Sequence, residues 1–560
     1  MPITFGTFAG GLITNRQIQP LALLLAISIT LIVLPLSAIH AADTETNSWT
    51  RVANMPTSRS GLDLEAVSGK IYAIGGSNSS GDLTVNEMYD PATDRWSTKS
   101  SMPTARTGFA TAVYENKIYV IGGSVGDGFT GNVEVYDPID DTWQTLASMP
   151  TPRADLTANV VGDKIYLIGG RIYSSVSPYY NQTDITQVYD VKTNTWSTNT
   201  SMPTALQGYA STVVGTKIYI IGGSRQSISG VDTSTSALQI YDTQTGRWTT
   251  GQPLNYPSSY GASIVTTGVM APTKIYYVGG FSVETFSNKT QIYDIENDFW
   301  SDGPNMSTPR AYLGLAVVND MIYAVGGLDG EKSLNITEEL KPVGYGKVSP
   351  VIEIISPVAN KTYKNVQIDY RINKAVSWVV FSIDNKANIT LTKNSYILDD
   401  LPDGQHSIIL FAKDSLGNTG VSQTVYFTVD NVAPSIVIIE PVNQSYNTAD
   451  LILTFIVDKP VTHLSYSLDD QPEVLINGNI TLPPLPDGNH VVIVHAIDAL
   501  GNSGSSDEVS FTISTFPTFW IAMAIVLSII LITSVYLVIK RKRFDDVTSM
   551  DVPEIEEEFL

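Results

Sequence analysis

The sequence predicts an all-β protein made of six repeated sheet-forming units, two smaller modules related to each other, and one C-terminal helix. Three observations carry that expectation: a Gly-Gly pair that closes an apolar run six times, a tryptophan recurring in step with it, and a second repeat followed by a long uncharged segment.

At 560 residues the chain exceeds what one hydrophobic core organises, so several domains are expected. Its 43% hydrophobic and 16% charged content is that of a folded chain. A formal charge of −22 argues against nucleic acid as a partner, because phosphates need basic surfaces. Cysteine is absent, which suits a prokaryotic-type envelope protein large enough to be stable without disulfides.

The Gly-Gly pairs begin at Gly75, Gly122, Gly169, Gly222, Gly279 and Gly326 and end the runs IYAIGG, IYVIGG, IYLIGG, IYIIGG, IYYVGG and IYAVGG. Short β-branched runs punctuated by glycine read as strands. Tryptophan stands at Trp49, Trp96, Trp143, Trp196, Trp248 and Trp300, 26 residues before the next Gly-Gly in five units and 31 in the fifth. A Tyr-Asp pair lies between Gly-Gly and the next Trp, at Tyr89, Tyr136, Tyr189, Tyr241 and Tyr293. One such sheet cannot bury both faces alone, so the units must stack, with the indoles supplying apolar area between them.

These residues resemble the kelch repeat: an arginine near the start, an apolar strand, Gly-Gly, Tyr-Asp and Trp, over residues 48–346. The resemblance implies one four-stranded blade per repeat around a central channel. The sixth unit lacks a following Tyr-Asp and Trp, whereas Trp49 precedes the first Gly-Gly. Placing the Trp49 strand in the sixth blade closes the ring and removes exposed sheet edges. The expected fold is therefore a six-bladed kelch β-propeller closed by the N-terminal strand.

Residues 349–514 carry a repeat at 84 residues: Leu401-Pro402-Asp403-Gly404 returns as Leu485-Pro486-Asp487-Gly488. Asp414 with Leu416-Gly417-Asn418 likewise returns as Asp498 with Leu500-Gly501-Asn502. The runs HSIILFAKD and HVVIVHAID alternate as half-buried strands. The pattern resembles the Ig-like β-sandwich modules of prokaryotic surface proteins, here at 349–431 and 432–514, and implies a spacer. At the joint VDNVAPSI the Asp and Asn residues suit solvated turns better than a calcium ion.

The two ends predict the compartment. Residues 21–38 are uncharged, follow Arg16 and lead to Ala41 and Ala42, which reads as a signal peptide over 1–42. The uncharged run 518–539 is long enough to cross a bilayer, with Phe519, Trp520 and Tyr536 near its ends. Lys540, Arg541, Lys542 and Arg543 mark its cytoplasmic side, leaving 540–560 as a cytoplasmic tail. The expected localisation is the cell membrane, single-pass, with the bulk of the chain extracellular. Ten N-x-S/T sequons, all between the two segments, fit that placement.

All five histidines, His40, His406, His463, His490 and His495, lie outside the repeat, so no metal, cofactor or His-based nucleophile is expected there. Asp90, Asp137, Asp190, Asp242 and Asp294 occur once per unit and read as turn residues. Departures from the repeat say more. Gly-Gly to Trp is 21 residues in units one, two and five, but 27 in unit three and 26 in unit four. Two adjacent loops are thus enlarged, the first holding Arg171, Tyr173, Tyr179 and Tyr180 and the second Arg225. Tyrosine and arginine are favoured at binding surfaces.

On the same face, 12 or 13 residues after each Trp, stand Gly61, Gly108, Asp155, Gly208, Gly261 and Tyr312, so Asp155 and Tyr312 break a glycine pattern. Two residues earlier come Arg59, Arg106, Arg153 and Arg310, with Leu206 and Ser259 in units four and five. In kelch domains that bind acidic peptides, arginines at this position and just after Gly-Gly line the ligand site. The resemblance therefore implies a cationic mouth of Arg59, Arg106, Arg153, Arg171 and Arg310, suited to carboxylate or sulfate. Scaffold bonds to neighbouring loops are the alternative.

The function expected is cell-surface recognition or adhesion, with an extracellular protein or acidic glycan as ligand and the lipid bilayer as the second partner. A competing expectation is an extracellular carbohydrate-active enzyme, an epimerase, lyase or hydrolase, using Asp155 with a channel tyrosine. A purely structural envelope component is the third.

Overall fold

The computed structural model describes residues 48–175, 180–226, 232–282, 285–393, 395–515 and 518–545. The expected signal segment, the tail from 546 and Tyr179 lie outside the described residues. The chain divides into two units, Met1–Val348 and Ser349–Leu560.

The first unit holds six four-stranded antiparallel sheets. Sheet one runs from Asp63–Val67 through Lys70–Ile74 and Asn86–Asp90 to Arg95–Thr98. Sheets two to five begin at Ala110–Tyr114, Thr157–Val161, Ala210–Val214 and Ala262–Val265. Sheet six joins Gly314–Val318, Met321–Val325 and Thr337–Leu340 to Trp49–Arg51, in register Trp49↔Leu340 and Arg51↔Glu338. The second strand of each sheet is buried on both faces, as Ile71, Tyr72, Ala73 and Ile74 are, which is why it reads as an unbroken apolar run. The first strands lie against one another in a cycle, with Asp63–Val67 contacting both Ala110–Tyr114 and Gly314–Val318.

The tryptophans tie neighbouring sheets together. Each indole N–H donates to a carbonyl at the outer edge of the preceding sheet: Trp96 to Ala53, Trp143 to Ser100, Trp196 to Ala147, Trp248 to Thr200 and Trp300 to Gln252. Trp49 completes the series through the Pro304 carbonyl at 3.1 Å. Each Tyr of the Tyr-Asp pair packs its ring on the Trp that follows, with centroids 5.2 Å apart for Tyr89 and Trp96. The adjoining aspartates cap turns, as Asp90 Oδ1 does by accepting the Ala92 N–H at 3.0 Å.

The second unit contains two modules of the same topology. In the first, the sheet Ile352–Ser356, Val366–Ile372, Ser395–Leu398 packs on a second sheet that includes Gly404–Lys413, Val425–Val429 and Trp378–Ile383. Phe381, Ile408, Leu410 and Phe427 fill the space between them. The second module repeats this with Ile436–Glu440, Ile452–Val457 and Ile480–Thr481 facing Gly488–Ile497, Val509–Ile513 and His463–Leu468.

At the joint between the modules Asn431 is exposed and Asp430, half-buried, accepts the Val432 N–H at 3.0 Å as a turn residue does. Lys459 Nζ donates to Asp430 Oδ2 at 3.1 Å, Asp498 Oδ2 at 3.3 Å and the Val432 carbonyl at 2.6 Å. Asp498 is 6% exposed and Asn502 3%. The partly exposed Lys459 ammonium thus sits among these oxygens. Last, Thr518–Asp545 forms a helix whose Phe519–Arg541 stretch is long and apolar enough to cross a membrane.

Candidate functional site

Twelve residues after each Trp the chain turns into a first strand, at Gly61, Gly108, Asp155, Gly208, Tyr260 and Tyr312. The amide N–H of each donates to the carbonyl of the one before, from Gly108 to Gly61 round to Tyr312 on Tyr260, and Gly61 donates to Tyr312. The six bonds form a closed cycle. Its fifth member is Tyr260 rather than Gly261, and the corresponding arginine position is Ser258 rather than Ser259. The extra residues of that unit fall after the first strand, so the count from Trp248 is the same twelve.

All six ring residues have left-handed backbone, with φ of 54° at Asp155 and 55° at both Tyr260 and Tyr312. Glycine adopts this freely, whereas a side chain costs about 1–2 kcal/mol there. Three positions nevertheless carry large side chains, and two of them fold over a neighbouring glycine. A Cβ on Gly108 would stand 2.6 Å from Asp155 Oδ1, and one on Gly208 would stand 2.3 Å from the Tyr260 ring. Tyr260 stacks in turn on Tyr312, centroids 4.4 Å apart and 28° between planes.

The enlarged hairpins meet this rim. Arg171, bridged to Ala154, places its Nε 2.8 Å from Asp155 Oδ2, an ion pair rather than an aligned hydrogen bond. Its guanidinium lies 5.2 Å from the Phe129 ring centre and 5.0 Å from that of Tyr180. Gln207 Nε2 donates to Asp232 Oδ2 at 2.9 Å and to Tyr260 Oη at 3.1 Å, linking the second hairpin to the ring. Alongside lies a groove of about 600 Å³ lined by Asp127, Phe129, Pro152, Ile172 and Tyr173. Tyr173 is 62% exposed, and Arg225 is exposed on the next hairpin.

Four of the expected mouth arginines are not at the mouth. Arg59, Arg106, Arg153 and Arg310 are each 0% exposed. Arg59 pairs with Glu87 at 3.1 Å, Arg106 with Glu134 at 2.7 Å and Arg310 with Glu338 at 2.8 Å. Arg153 donates to Gln187 Oε1 at 3.1 Å and to the Ile185 carbonyl at 2.8 Å. Their side chains turn inward because each bridges a carbonyl of the second strand, Ala73, Val120, Leu167 or Ala324, to a side chain of the third strand of its own sheet. Of the expected cationic set, Arg171 alone reaches the face, and Asp155 neutralises it. The surrounding loops carry Asp82, Asp127, Asp232, Asp329 and Glu331 against Arg225 and Lys332 among the described residues, so the face is acidic.

The acid–base pair expected of an enzyme gains no support from this geometry. Burial pushes the Tyr260 and Tyr312 phenols well above the ordinary tyrosine range, and Asp155 adds to it. A phenol serving as a base at neutral pH needs the opposite shift. Burial also raises the Asp155 carboxyl, against the pull of Arg171.

The profile of the Attractin/LZTR1 β-propeller family matches residues 71–337. "Kelch-like protein terF" of Aspergillus terreus is 30% identical over 164 residues, 28% of this chain and 35% of the relative. "Kelch-like protein 36" of Bos taurus is 32% identical over 131 residues, 23% and 20% of the two chains. "Alpha-scruin" of Limulus polyphemus is 26% identical over 178 residues, 30% and 19%. The chain thus spans about a third or less of these relatives' length. A solved structure described as "Structure of YjhT" aligns over 51% of this chain and 95% of its own, with 18% identity and a TM-score of 0.44.

Proposed function

Because this chain carries a β-propeller of the kelch type, we propose that it is a protein-binding protein whose partner docks on the face formed by the ring and the enlarged hairpins of sheets three and four. The observation that carries the reading is Tyr173, a largely exposed aromatic beside the groove that Phe129, Ile172 and Pro152 line. Amphipathic rings held on a rigid sheet supply contact area at low entropic cost.

In the same reading the six sheets are six blades closed by Trp49–Arg51, and the paired modules are Ig-like spacers. The apolar helix is a membrane anchor with Lys540, Arg541, Lys542 and Arg543 on the cytoplasmic side, and the propeller is extracellular. The partner is a protein with a neutral or basic contact segment. An acidic glycan is disfavoured, since the scaffold consumes the arginines meant for it and the loops around the groove are acidic.

Peptide-display selection on the full chain in nanodiscs tests this. Selected peptides are expected to combine aromatic with lysine or arginine residues. Their affinity is expected to fall at least about tenfold, 1.4 kcal/mol, when Phe129→Ala and Tyr173→Ala are combined. Selection of acidic peptides, or undiminished binding by the double variant, would sink the reading.

A further inference from the structure

In the first module the outer side of the larger sheet is apolar and aromatic. Trp378, Val421 and Tyr426 are 38%, 53% and 64% exposed, and Val380 and Phe411 are half-buried beside them. The ladder sets Val380, Phe411 and Val421 side by side across three strands, with Trp378 two residues along from Val380. Lys413 is the one charged residue that the strands place on this side, and no carboxylate stands there among the described residues. The second module has the same topology and supplies the comparison. Its strands put His463, Ser465, His495, Ser505 and Ser510 where the first has Trp378, Val380, Phe411, Val421 and Tyr426. The sandwich therefore does not require an apolar outer face.

A second observation lies on the edge strand of that sheet, Ile389–Leu391. Asn388-Ile389-Thr390 is one of the ten N-x-S/T sequons. Thr390 pairs with Val380 and so faces the same side, and Asn388, two residues before it, falls on that side at the sheet's border. Both are exposed, and the Asn388 amide makes no hydrogen bond to the described residues. By contrast Asn288 Nδ2 donates to the Met306 carbonyl at 3.1 Å, and Asn479 Oδ1 accepts the Phe455 N–H at 3.1 Å. In the second module Leu475 pairs with Ser465, so the position of Asn388 is taken by Glu473. Sequon and aromatic face thus occur together in one module and are both missing from the matching positions of the other.

We infer that Asn388 carries an N-linked glycan whose first sugars lie on the face formed by Val380, Phe411 and Trp378. The inference rests on the extracellular placement of the modules proposed above. Attachment is a substitution at the anomeric carbon of the first sugar. Asn388 Nδ2 forms the new N–C bond and loses one proton, while the C–O bond to a lipid-linked phosphate breaks and the phosphate leaves with the electron pair. Phe411, two strands in from the edge and two residues along, is roughly 12 Å from Asn388, a distance a short sugar chain spans. A pyranose ring presents C–H groups on its faces, and these pack on apolar side chains and on the negative faces of aromatic rings. Each contact is weak, but the covalent tether holds sugar and face together at a high effective concentration. A protein docked on this side would leave its pairing with the sequon without a cause.

Glycopeptide mass spectrometry on the full chain, purified from the cells that naturally make it, reads the modification. Asn388 is expected to carry sugar in most molecules. A bare Asn388 beside occupied sequons elsewhere would overturn this inference and leave the extracellular placement standing, whereas ten bare sequons would overturn both. Calorimetry on the same material reads the contact. Asn388→Gln should lower the thermal midpoint of the first module by at least about 4 °C. In the background Trp378→His/Phe411→His, which installs the second module's own side chains, the same change should shift it by less than about 1 °C. Trp378→Leu, which removes one ring and keeps the face apolar, is the background used if the histidine variant does not fold, and there the shift should fall at least about twofold. Equal shifts with and without the rings, or no shift in the wild-type background, would overturn the inference.

Discussion

Glu134→Leu, with Arg106 left in place, is expected to lower the stability of the propeller by about 3–5 kcal/mol. Arg106 is 0% exposed and Glu134 2%, so removing the carboxylate strands a guanidinium that water does not reach. The cost is the uncompensated charge rather than the lost contact, and the pair itself contributes much less. Arg106→Met combined with Glu134→Leu should therefore recover most of the loss. Recovery should remain incomplete, because Arg106 Nη1 also donates to the Gly122 carbonyl at 3.0 Å and the Asn132 carbonyl at 2.9 Å. Urea titration followed by indole fluorescence reads the effect, since six of the eight tryptophans are in the repeat region. A double variant as unstable as Glu134→Leu would mean that the arginine's carbonyl bonds, not the ion pair, organise the turn.

Propeller stability is expected to fall as pH rises from about 4 to about 8, and Glu65→Gln should abolish most of that fall. Asp63 and Glu65 stand on the first strand of sheet one and line the cavity beneath the ring, and burial raises Asp63 to about 6 and, together with Asp63, Glu65 to about 8. Between the unfolded and folded values the unfolded chain holds fewer protons than the native one, so each step up in pH favours unfolding. The contribution is present below about pH 4 and lost above about pH 8. The Glu65 displacement corresponds to about 5 kcal/mol at most, and because Glu65 is only half-buried, solvent screening reduces it to roughly 2–3 kcal/mol. Glu65→Gln should thus stabilise the protein by that amount at pH 8.5 and hardly at all at pH 4. Parallel unfolding curves for wild type and variant across this range would contradict the assignment.

Where each part of this structure was legible depended on how local its determinants are. The Gly-Gly, Tyr-Asp and Trp positions read clearly because every sheet reuses one short-range solution. The direction of the buried arginines is not locally encoded, because a side chain two residues before the ring has two directions open to it. What fixes the direction is a partner 28 residues on, Glu134 for Arg106 and Glu338 for Arg310, or 34 residues on, Gln187 for Arg153. The units with Leu206 and Ser258 use Gln239 and Gln291 at the same strand position to accept backbone N–H groups. Tyr260 is masked in the sequence because Gly261 beside it satisfies the glycine pattern, although a strict count of twelve from Trp248 finds it. The Lys459 clamp was not legible, since its partners stand 29 and 39 residues away and nothing local joins them.

Docking on the enlarged-hairpin face is tested most directly by a photocrosslinking amino acid at Tyr173, compared with one at Ile139. Ile139 is 87% exposed on a turn between the third and fourth strands of sheet two, at the opposite end of the sheet from the hairpins. Irradiation of cells making the full chain should yield a discrete protein adduct from position 173 and none from 139. An adduct from 139 alone, or the same adduct from both, would place the partner elsewhere and contradict the account.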